Sequence, residues 1–220
     1  MGELRGRILA AYRSGWSIAA HAIGDAAVDL AIEIFEQARS IPGARSVPNR
    51  IEHGGVLTDA QLARIVAVGA VVVPQPGFIP AFGADMARAL GEARVPQSYR
   101  AASLLAAGLP LPGSSDRPVT TGNVLRNVQA FVERSYTDAA GASCVYGPAE
   151  RLSVQQALRA YTLGSAQATG QQEHRGSLEL GKLADLVLLD RNPLEVPVED
   201  LTGIRVVETL LGGTTTHSLL

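Results

Sequence analysis

The feature that most constrains the fold is a short pattern that recurs along the chain and ends each time in a polar side chain. Three copies read ILAAYRSGWSIAAH, LARIVAVGAVVVPQP and SLLAAGLPLPGSSD. Each has a helical stretch, a glycine suited to the end of a helix, a few apolar residues and a polar group. NRIEH supplies a fourth apolar run with the same ending. The runs therefore predict four strands that end at His21, His53, Gln75 and Asp116.

A helical pattern follows each predicted strand, at about 25–39, 58–68, 98–107 and 122–135. Asp25 is the expected N-cap of the first helix and Thr58 that of the second. Strands that alternate with helices indicate βα units and a parallel sheet. An open four-stranded sheet and a piece of a (β/α)₈ barrel both fit, and both place their chemistry at the carboxyl ends of the strands.

The pattern changes after about residue 137. TDAAGASCVYGPAE reads as a loop, and LSVQQALRAYTLGSAQATG as a helix capped by Ser153. GSLELGKLADLVLLDRNP then predicts two strands, and VVETLLGGTTTH a hairpin that turns at Gly212-Gly213. We therefore expect an α/β unit over 1–170 and a small β-rich unit over 171–220.

Composition narrows the class of protein. A net charge of −2 gives no electrostatic footprint for nucleic acid or for an anionic membrane. The single cysteine, Cys144, excludes an intramolecular disulfide framework and suits a reducing compartment. No signal peptide and no apolar run of spanning length is visible. These features predict a soluble, cytoplasmic protein that binds neither nucleic acid nor membranes.

Three of the groups at the expected strand ends are ligands that a divalent metal prefers: His21, His53 and Asp116. Imidazole nitrogen and carboxylate oxygen are ordinary Zn²⁺ ligands, and a catalytic zinc keeps one position for water. Groups this far apart in sequence often occur by chance, so from the residues alone a structural histidine is the favoured interpretation and a metal ligand the alternative.

Four segments resemble the carboxyl-terminal part of the amidohydrolase superfamily, and most closely its family 3, the metal-dependent hydrolases similar to N-acyl-amino-acid deacylases. These segments are HAIGDAAVDLAIEIFEQA, RIEHGGVLTDAQLARIVAVGAVVVPQP, SLLAAGLPLPGSSDRPV and GSLELGKLADLVLLDRNPLEVPVEDLTGIRVVETLLGG. The resemblance covers nearly the whole chain in order. It implies strands five to eight of a (β/α)₈ barrel, followed by part of a small β-sandwich.

The resemblance also implies roles for individual residues. His21, His53 and Asp116 would bind one or two divalent ions such as zinc, with Asp116 also the general base in hydrolysis of a small amide-type substrate. Gln75, near the end of strand seven, would contact the substrate, as would Arg94 and Tyr99 from the long loop that follows. Asp25 and Glu52 would fix imidazole tautomers, although for Asp25 helix capping is the preferred role.

Two elements of the family pattern are missing from the sequence. The family opens its barrel with a His-x-His pair, which this sequence lacks, and many members carry a bridging lysine on strand four, whereas the only lysine here, Lys182, lies in the β-rich unit. Half a barrel would leave open strand edges. Three explanations remain open: a fragment of a longer hydrolase, a homo-oligomer that pairs its open edges, or a folded remnant without catalysis.

Overall fold

Three strands of the α/β unit form a parallel sheet. In the computed structural model, which describes residues 2–43 and 45–220, the strands are β1 (Ala19–Ala22), β2 (Arg50–His53) and β3 (Val71–Val73). Their order is β1-β2-β3, so β1 and β3 are the edge strands of this sheet. All three run parallel, which brings the residues that end them to one edge of the sheet.

Helices alternate with these strands and continue beyond them. They are α1 (Gly2–Arg13), α2 (Asp25–Ala38), α3 (Asp59–Val68), α4 (Phe78–Leu90), α5 (Ala101–Ala106), α6 (Val124–Glu133), α7 (Val154–Arg159) and α8 (Ser165–Ala168). A π-helical turn, Ala160–Gly164, joins α7 to α8. Short 3₁₀ turns occur at Val95–Gln97, Pro148–Glu150 and Val198–Gly203.

The helix starts test three of the predicted caps. Thr58 and Ser153 are the N-caps that the sequence predicts, and each also forms a capping box with the glutamine three residues later. The prediction for Asp25 is wrong by one residue: Gly24 is the N-cap of α2, without a side-chain bond, and Asp25 is the first helical residue. At that position its negative carboxylate still interacts favourably with the positive end of the helix dipole.

The core lies between the parallel sheet and the helices that cover it. Ile51 and Val72 of the sheet are buried in one cluster with Ile32 and Phe35 of α2 and Ile65 of α3. The same cluster continues through α6 and α7. Burial of such side chains, each worth about 1.5–3 kcal/mol, fixes the strand ends relative to one another.

The structure corrects three sequence predictions in the α/β unit. The run that ends at Asp116 forms no strand, so the expected fourth strand is wrong; its Gly113 N–H bonds to the Ala160 carbonyl of the π-helical turn instead. The stretch taken as a long loop after β3 contains α4. The stretch from Thr137 taken as a loop forms part of a hairpin of β4 (Ser135–Thr137) and β5 (Ser143–Val145).

The carboxyl-terminal unit is a three-stranded antiparallel sheet of β6 (Leu186–Leu189), β7 (Val206–Leu211) and β8 (Thr214–Ser218). The predicted hairpin is confirmed, with both Gly212 and Gly213 at positive φ in its turn. The strand predicted in GSLEL is absent, and Leu178 and Leu180 there are exposed.

Among residues 2–43 and 45–220, no helix combines the length and the apolar composition needed to cross a bilayer.

Candidate metal centre

Two imidazoles meet at the carboxyl edge of the parallel sheet. His21 Nδ1 lies 2.9 Å from His53 Nε2, and the two rings meet edge to face with centroids 4.5 Å apart. His53 is buried, whereas His21 is exposed. The structure therefore brings together two of the three predicted metal ligands, one from each of two neighbouring strands.

A local departure from strand geometry makes this contact. In the register of the sheet His21 is paired with Glu52, and Ala22 with His53. Paired residues share a face and successive residues alternate, so a regular strand end would direct the imidazoles to opposite faces. His53 instead has φ 76°, in the left-handed region that costs a non-glycine residue free energy. The last residue of β2 thereby turns its ring towards His21.

The histidine pair fits part of the coordination shell of zinc. A tetrahedral zinc with Zn–N distances of about 2.0–2.1 Å separates its two nitrogens by about 3.3 Å. The observed N···N distance of 2.9 Å is slightly shorter, so a small opening of the two rings suffices to admit an ion. In the part of the chain that the structure describes, however, no group of three or more His, Cys, Asp or Glu side chains is placed to hold a metal ion.

Asp116 lies in the irregular segment that replaces the fourth strand. Its side chain is exposed, its φ is 51°, and its N–H donates to Ser114 Oγ at 3.3 Å. It does not complete a three-ligand cluster with the histidines. Its role as ligand and base stays a prediction.

Tyr99 lies beside the same edge of the sheet. Residues 97–99 pair with the backbone just after β2: Leu57 N–H donates to the Gln97 carbonyl and Tyr99 N–H to the Gly55 carbonyl. A Cβ on Gly55 would lie 2.8 Å from the Ile23 side chain, so glycine permits the close approach of Ile23, while Tyr99 Oη, at 3.5 Å, would be in ordinary contact. Burial, with smaller contributions from Tyr146 and Asp116, raises the pKa of the Tyr99 phenol above its ordinary value.

Arginines engage the two acids predicted to orient imidazoles. Arg94 donates to the Asp25 carboxylate at 2.7 Å, and Arg50 donates to Glu52 at 3.0 Å. Asp25 also accepts a bond from the Ala26 N–H. The tautomer role of both acids, and the substrate role of Arg94, stay predictions.

Gln75, predicted as a substrate contact, is only 1% exposed and lies against His53. Its Oε1 is 2.7 Å from His53 Nδ1, and its Nε2 donates to the Val73 carbonyl at 2.7 Å. Phe78, the first residue of α4, packs with its ring centroid 5.7 Å from that of His53. The buried ring of His53 thus contacts one residue just after β3 and one at the start of α4.

Sequence reasoning missed Arg134, which is completely buried. Its guanidinium donates to the carbonyls of Tyr146, Tyr99 and Ser98 at 2.7, 3.0 and 3.2 Å. Burial lowers the pKa of Arg134 to about 10, a shift that the neighbouring Glu150 carboxylate opposes. Nothing in the pattern around Arg134, which follows an ordinary amphipathic helix, distinguishes it from a surface arginine.

Positive backbone φ marks the same region. In the described chain four non-glycine residues have positive φ: His53, Tyr99, Asp116 and Arg134. Three of them are predicted site residues, and the fourth binds the carbonyl of Tyr99. Backbone strain of this kind, about 1–3 kcal/mol at each position, is concentrated at functional sites.

The π-helical turn positions the segment before Asp116. Tyr161 Oη donates to the Ser114 carbonyl at 3.0 Å. A Cβ on Gly113 would lie 2.5 Å from the Tyr161 ring, and one on Gly164 would lie 2.0 Å from the Leu111 carbonyl oxygen. Widened turns of this type are frequent at functional sites. Gly113 and Gly164 are the sequence signal that could have revealed this contact, since each leaves room for a close approach.

Comparison with known proteins identifies the class. Residues 2–217 match the sequence profile of the amidohydrolase family, so the chain belongs to that family. It is 34% identical over 206 residues to the protein LONG AFTER FAR-RED 3 of Arabidopsis thaliana, covering 93% of this chain and 35% of that protein.

Two further relatives give the same result. The chain is 29% identical over 213 residues to the N-substituted formamide deformylase of Arthrobacter pascens, covering 96% of this chain and 38% of the enzyme. A solved structure of an uncharacterized metal-dependent hydrolase from Pyrococcus horikoshii OT3 superposes with a TM-score of 0.75 at 31% identity, over 89% of this chain and 39% of that one. The chain thus spans little more than a third of the length of these relatives.

Proposed function

We propose that this chain carries part of the active site of a metal-dependent hydrolase that cleaves carbon–nitrogen bonds in small molecules, either non-peptide amides or cyclic amides. The observation that carries the proposal is the pair of imidazoles, His21 and His53, held nitrogen to nitrogen at the ends of adjacent parallel strands. Membership of the amidohydrolase family supports it, as does the similarity to a deformylase of N-substituted formamides.

In this proposal β1, β2 and β3 belong to the second half of a (β/α)₈ barrel, and residues 171–220 to the sandwich beside it. The remaining metal ligands, including the His-x-His pair, would lie outside this sequence. The share of the relatives that the chain spans, 35% and 38%, supports this division.

The residues of this chain would divide the chemistry among them. His21 and His53 would hold a zinc or similar ion, which when bound lowers the pKa of a water towards neutrality and polarises a carbonyl. Asp116 would take the proton from the attacking water and return it to the leaving nitrogen. The phenol of Tyr99 would donate a hydrogen bond to the substrate, as would Arg94 after release from Asp25.

One observation favours a second candidate, a non-catalytic domain that keeps the histidines by inheritance. Within residues 2–43 and 45–220 the two imidazoles gather no third metal-ligating acid or thiol. A homo-oligomer that pairs the free edge of β1 with another copy remains part of this alternative, and solution mass tests it.

Zinc binding separates the two candidates. We expect calorimetric titration of the full chain to show one zinc per chain, which is lost in His53→Ala because one of only two assembled nitrogens is removed. His174→Ala is the matched control, since His174 lies away from the sheet edge, in a turn of the β-rich unit that precedes β6, and it should bind zinc as the unaltered chain does. Folded protein that takes up no zinc, or zinc uptake unchanged by His53→Ala, would contradict the enzyme proposal.

If zinc binds, hydrolysis of an N-substituted formamide measures whether the chain alone is active. Asp116→Asn should then abolish turnover while leaving the stoichiometry of zinc unchanged or reduced, because the carboxylate that moves the proton is lost. Turnover that survives Asp116→Asn would overturn the role of this residue.

A further inference from the structure

Gln75 has only one orientation of its amide group that satisfies its neighbours. One end of the amide is 2.7 Å from the Val73 carbonyl oxygen, and the other end is 2.7 Å from His53 Nδ1. A carbonyl oxygen only accepts hydrogen bonds, so the amide NH₂ must face Val73. The reversed amide would bring two acceptor oxygens together in a place where Gln75 is 1% exposed and no solvent can compensate. The Gln75 Oε1 therefore faces His53.

This orientation determines the tautomer of His53. The amide oxygen facing Nδ1 is an acceptor, so Nδ1 must carry the hydrogen of the neutral imidazole. The lone pair then resides on Nε2, the atom that faces His21 across 2.9 Å. A neutral imidazole binds a metal through its unprotonated nitrogen, and the hydrogen bond made by the other nitrogen decides which one that is.

We propose that Gln75 is a positioning residue whose amide oxygen holds His53 in the Nδ1–H tautomer. It thereby keeps the Nε2 lone pair directed towards His21 and the candidate metal site. The purpose of this role rests on the proposed function, whereas the tautomer itself is a property of the metal-free chain. It replaces the expectation that Gln75 contacts substrate, because both ends of its buried amide are already engaged.

Three features of the structure hold Gln75 and the His53 ring in fixed positions. The hydrogen bond that the Gln75 side chain donates to the Val73 carbonyl fixes the amide to the end of β3, two residues earlier in the chain. Phe78 packs at 5.7 Å against the His53 ring and so restricts rotation of the imidazole. The backbone of His53, with φ 76°, adds a further constraint on where its ring can point.

The test is long-range proton–nitrogen NMR of the imidazoles in the full, metal-free chain, recorded at a pH where the nitrogen shifts themselves show neutral rings. The His53 signals are assigned from their loss in His53→Ala. We expect Nδ1–H in the unaltered chain and a shift of the population towards Nε2–H in Gln75→Met, which keeps the side-chain volume but offers no acceptor. Zinc affinity should fall about 10–100-fold in the same variant.

Gln61→Met is the matched control. Gln61 is also a buried glutamine, 3% exposed, but it serves the capping box of α3 and donates to the Asp25 carbonyl. This variant should lose stability and leave the His53 tautomer unchanged, which separates positioning from a general effect of removing a buried amide.

A folded Gln75→Met chain in which His53 keeps Nδ1–H would overturn the proposal. If that variant does not fold, Gln75→Glu decides, because it keeps an acceptor oxygen on the same stem: retained Nδ1–H supports the role, and a change to Nε2–H overturns it. Absence of zinc binding in the unaltered chain would defeat the proposed hydrolase function but would leave the tautomer measurement fully informative.

Discussion

The α/β unit and the β-rich carboxyl-terminal unit differ most in how they bury apolar side chains. The α/β unit holds almost the whole core cluster, whereas in residues 171–220, all of which the structure describes, only Leu201 and Ile204 are buried apolar residues. Both belong to the core cluster of the α/β unit. The contrast teaches that the two units depend on different forces: packing in the first, and backbone hydrogen bonds with a tight turn in the second.

The exposure of leucines makes the same point within the β-rich unit. Leu178 is 84% exposed and Leu180 fully exposed, and Leu188 and Leu211 on strands β6 and β7 are also exposed. A three-stranded sheet with its apolar residues in water gains little from burial. We therefore expect substitutions in the α/β unit to control the free energy of unfolding of the whole chain.

The largest effect is expected for Phe131→Ala in α6. Phe131 is 1% exposed in the core cluster, so its loss should lower the free energy of unfolding by about 3–5 kcal/mol through lost burial and the cavity that remains. Leu180→Ala, the comparison from the β-rich unit, should change it by less than about 0.5 kcal/mol. Urea unfolding followed by circular dichroism measures both. Equal losses would break the contrast between the units.

A somewhat smaller loss, about 3 kcal/mol, is expected for Arg134→Met. The three carbonyls of Ser98, Tyr99 and Tyr146 would lose their donor inside the protein, where no water replaces it.

The matched variant is Arg205→Met, since Arg205 pairs with Asp190 on the surface of the β-rich unit at 2.8 Å with its side chain 73% exposed. Its loss should cost less than about 1 kcal/mol. The same urea measurement applies, and a tolerant Arg134→Met would show that the buried guanidinium is dispensable.

The smallest expected effect is a loss of stability at alkaline pH. It again distinguishes the two units, because every tyrosine lies before residue 171. Burial raises the pKa of Tyr99 and of Tyr161, so each phenol keeps its proton in the folded chain at pH values where the unfolded chain loses it, from about pH 10 upward. The folded state then binds more protons, and stability falls as pH rises.

Tyr99→Phe removes one of these phenols. The variant should lose up to about 1 kcal/mol less stability for each pH unit above about 10 than the unaltered chain loses. Unfolding at about pH 8, where both states hold the proton, provides the baseline that corrects for the missing hydroxyl. Identical pH slopes would show that the Tyr99 phenol titrates equally in both states.

The sequence predicts well where local rules act alone. The three strands that end at His21, His53 and before Gln75, the helices after them, the caps at Thr58 and Ser153, and the Gly212-Gly213 hairpin depend on periodicity, capping and turn chemistry within a few residues. The run before Asp116 shows the opposite case. Its apolar pattern suits a strand, but its Gly113 N–H bonds to the π-helical turn, a partner that no local rule reveals.

The features of the candidate site likewise divide into those that the sequence predicts and those that it does not. The sequence predicts that His21 and His53 end neighbouring parallel strands, but their contact also requires the positive φ of His53, which the sequence does not reveal. The bond between Gln75 and His53 and the burial of Arg134 depend on side-chain directions set by packing across the chain. Helix α4 was missed because its glycine and proline reduce the helical signal, although Gly83 provides the close approach that the Tyr136 ring requires.

The contact between the π-helical turn and the segment before Asp116 has a consequence for how such sequences can vary. Gly164 leaves no room for a Cβ beside the Leu111 carbonyl, and Gly113 leaves none beside the ring of Tyr161. A larger residue at either glycine must therefore be accompanied by a change in the facing segment. Among homologues these positions should covary as a unit, although about fifty residues separate them in the chain, and drift at one of them alone should be selected against.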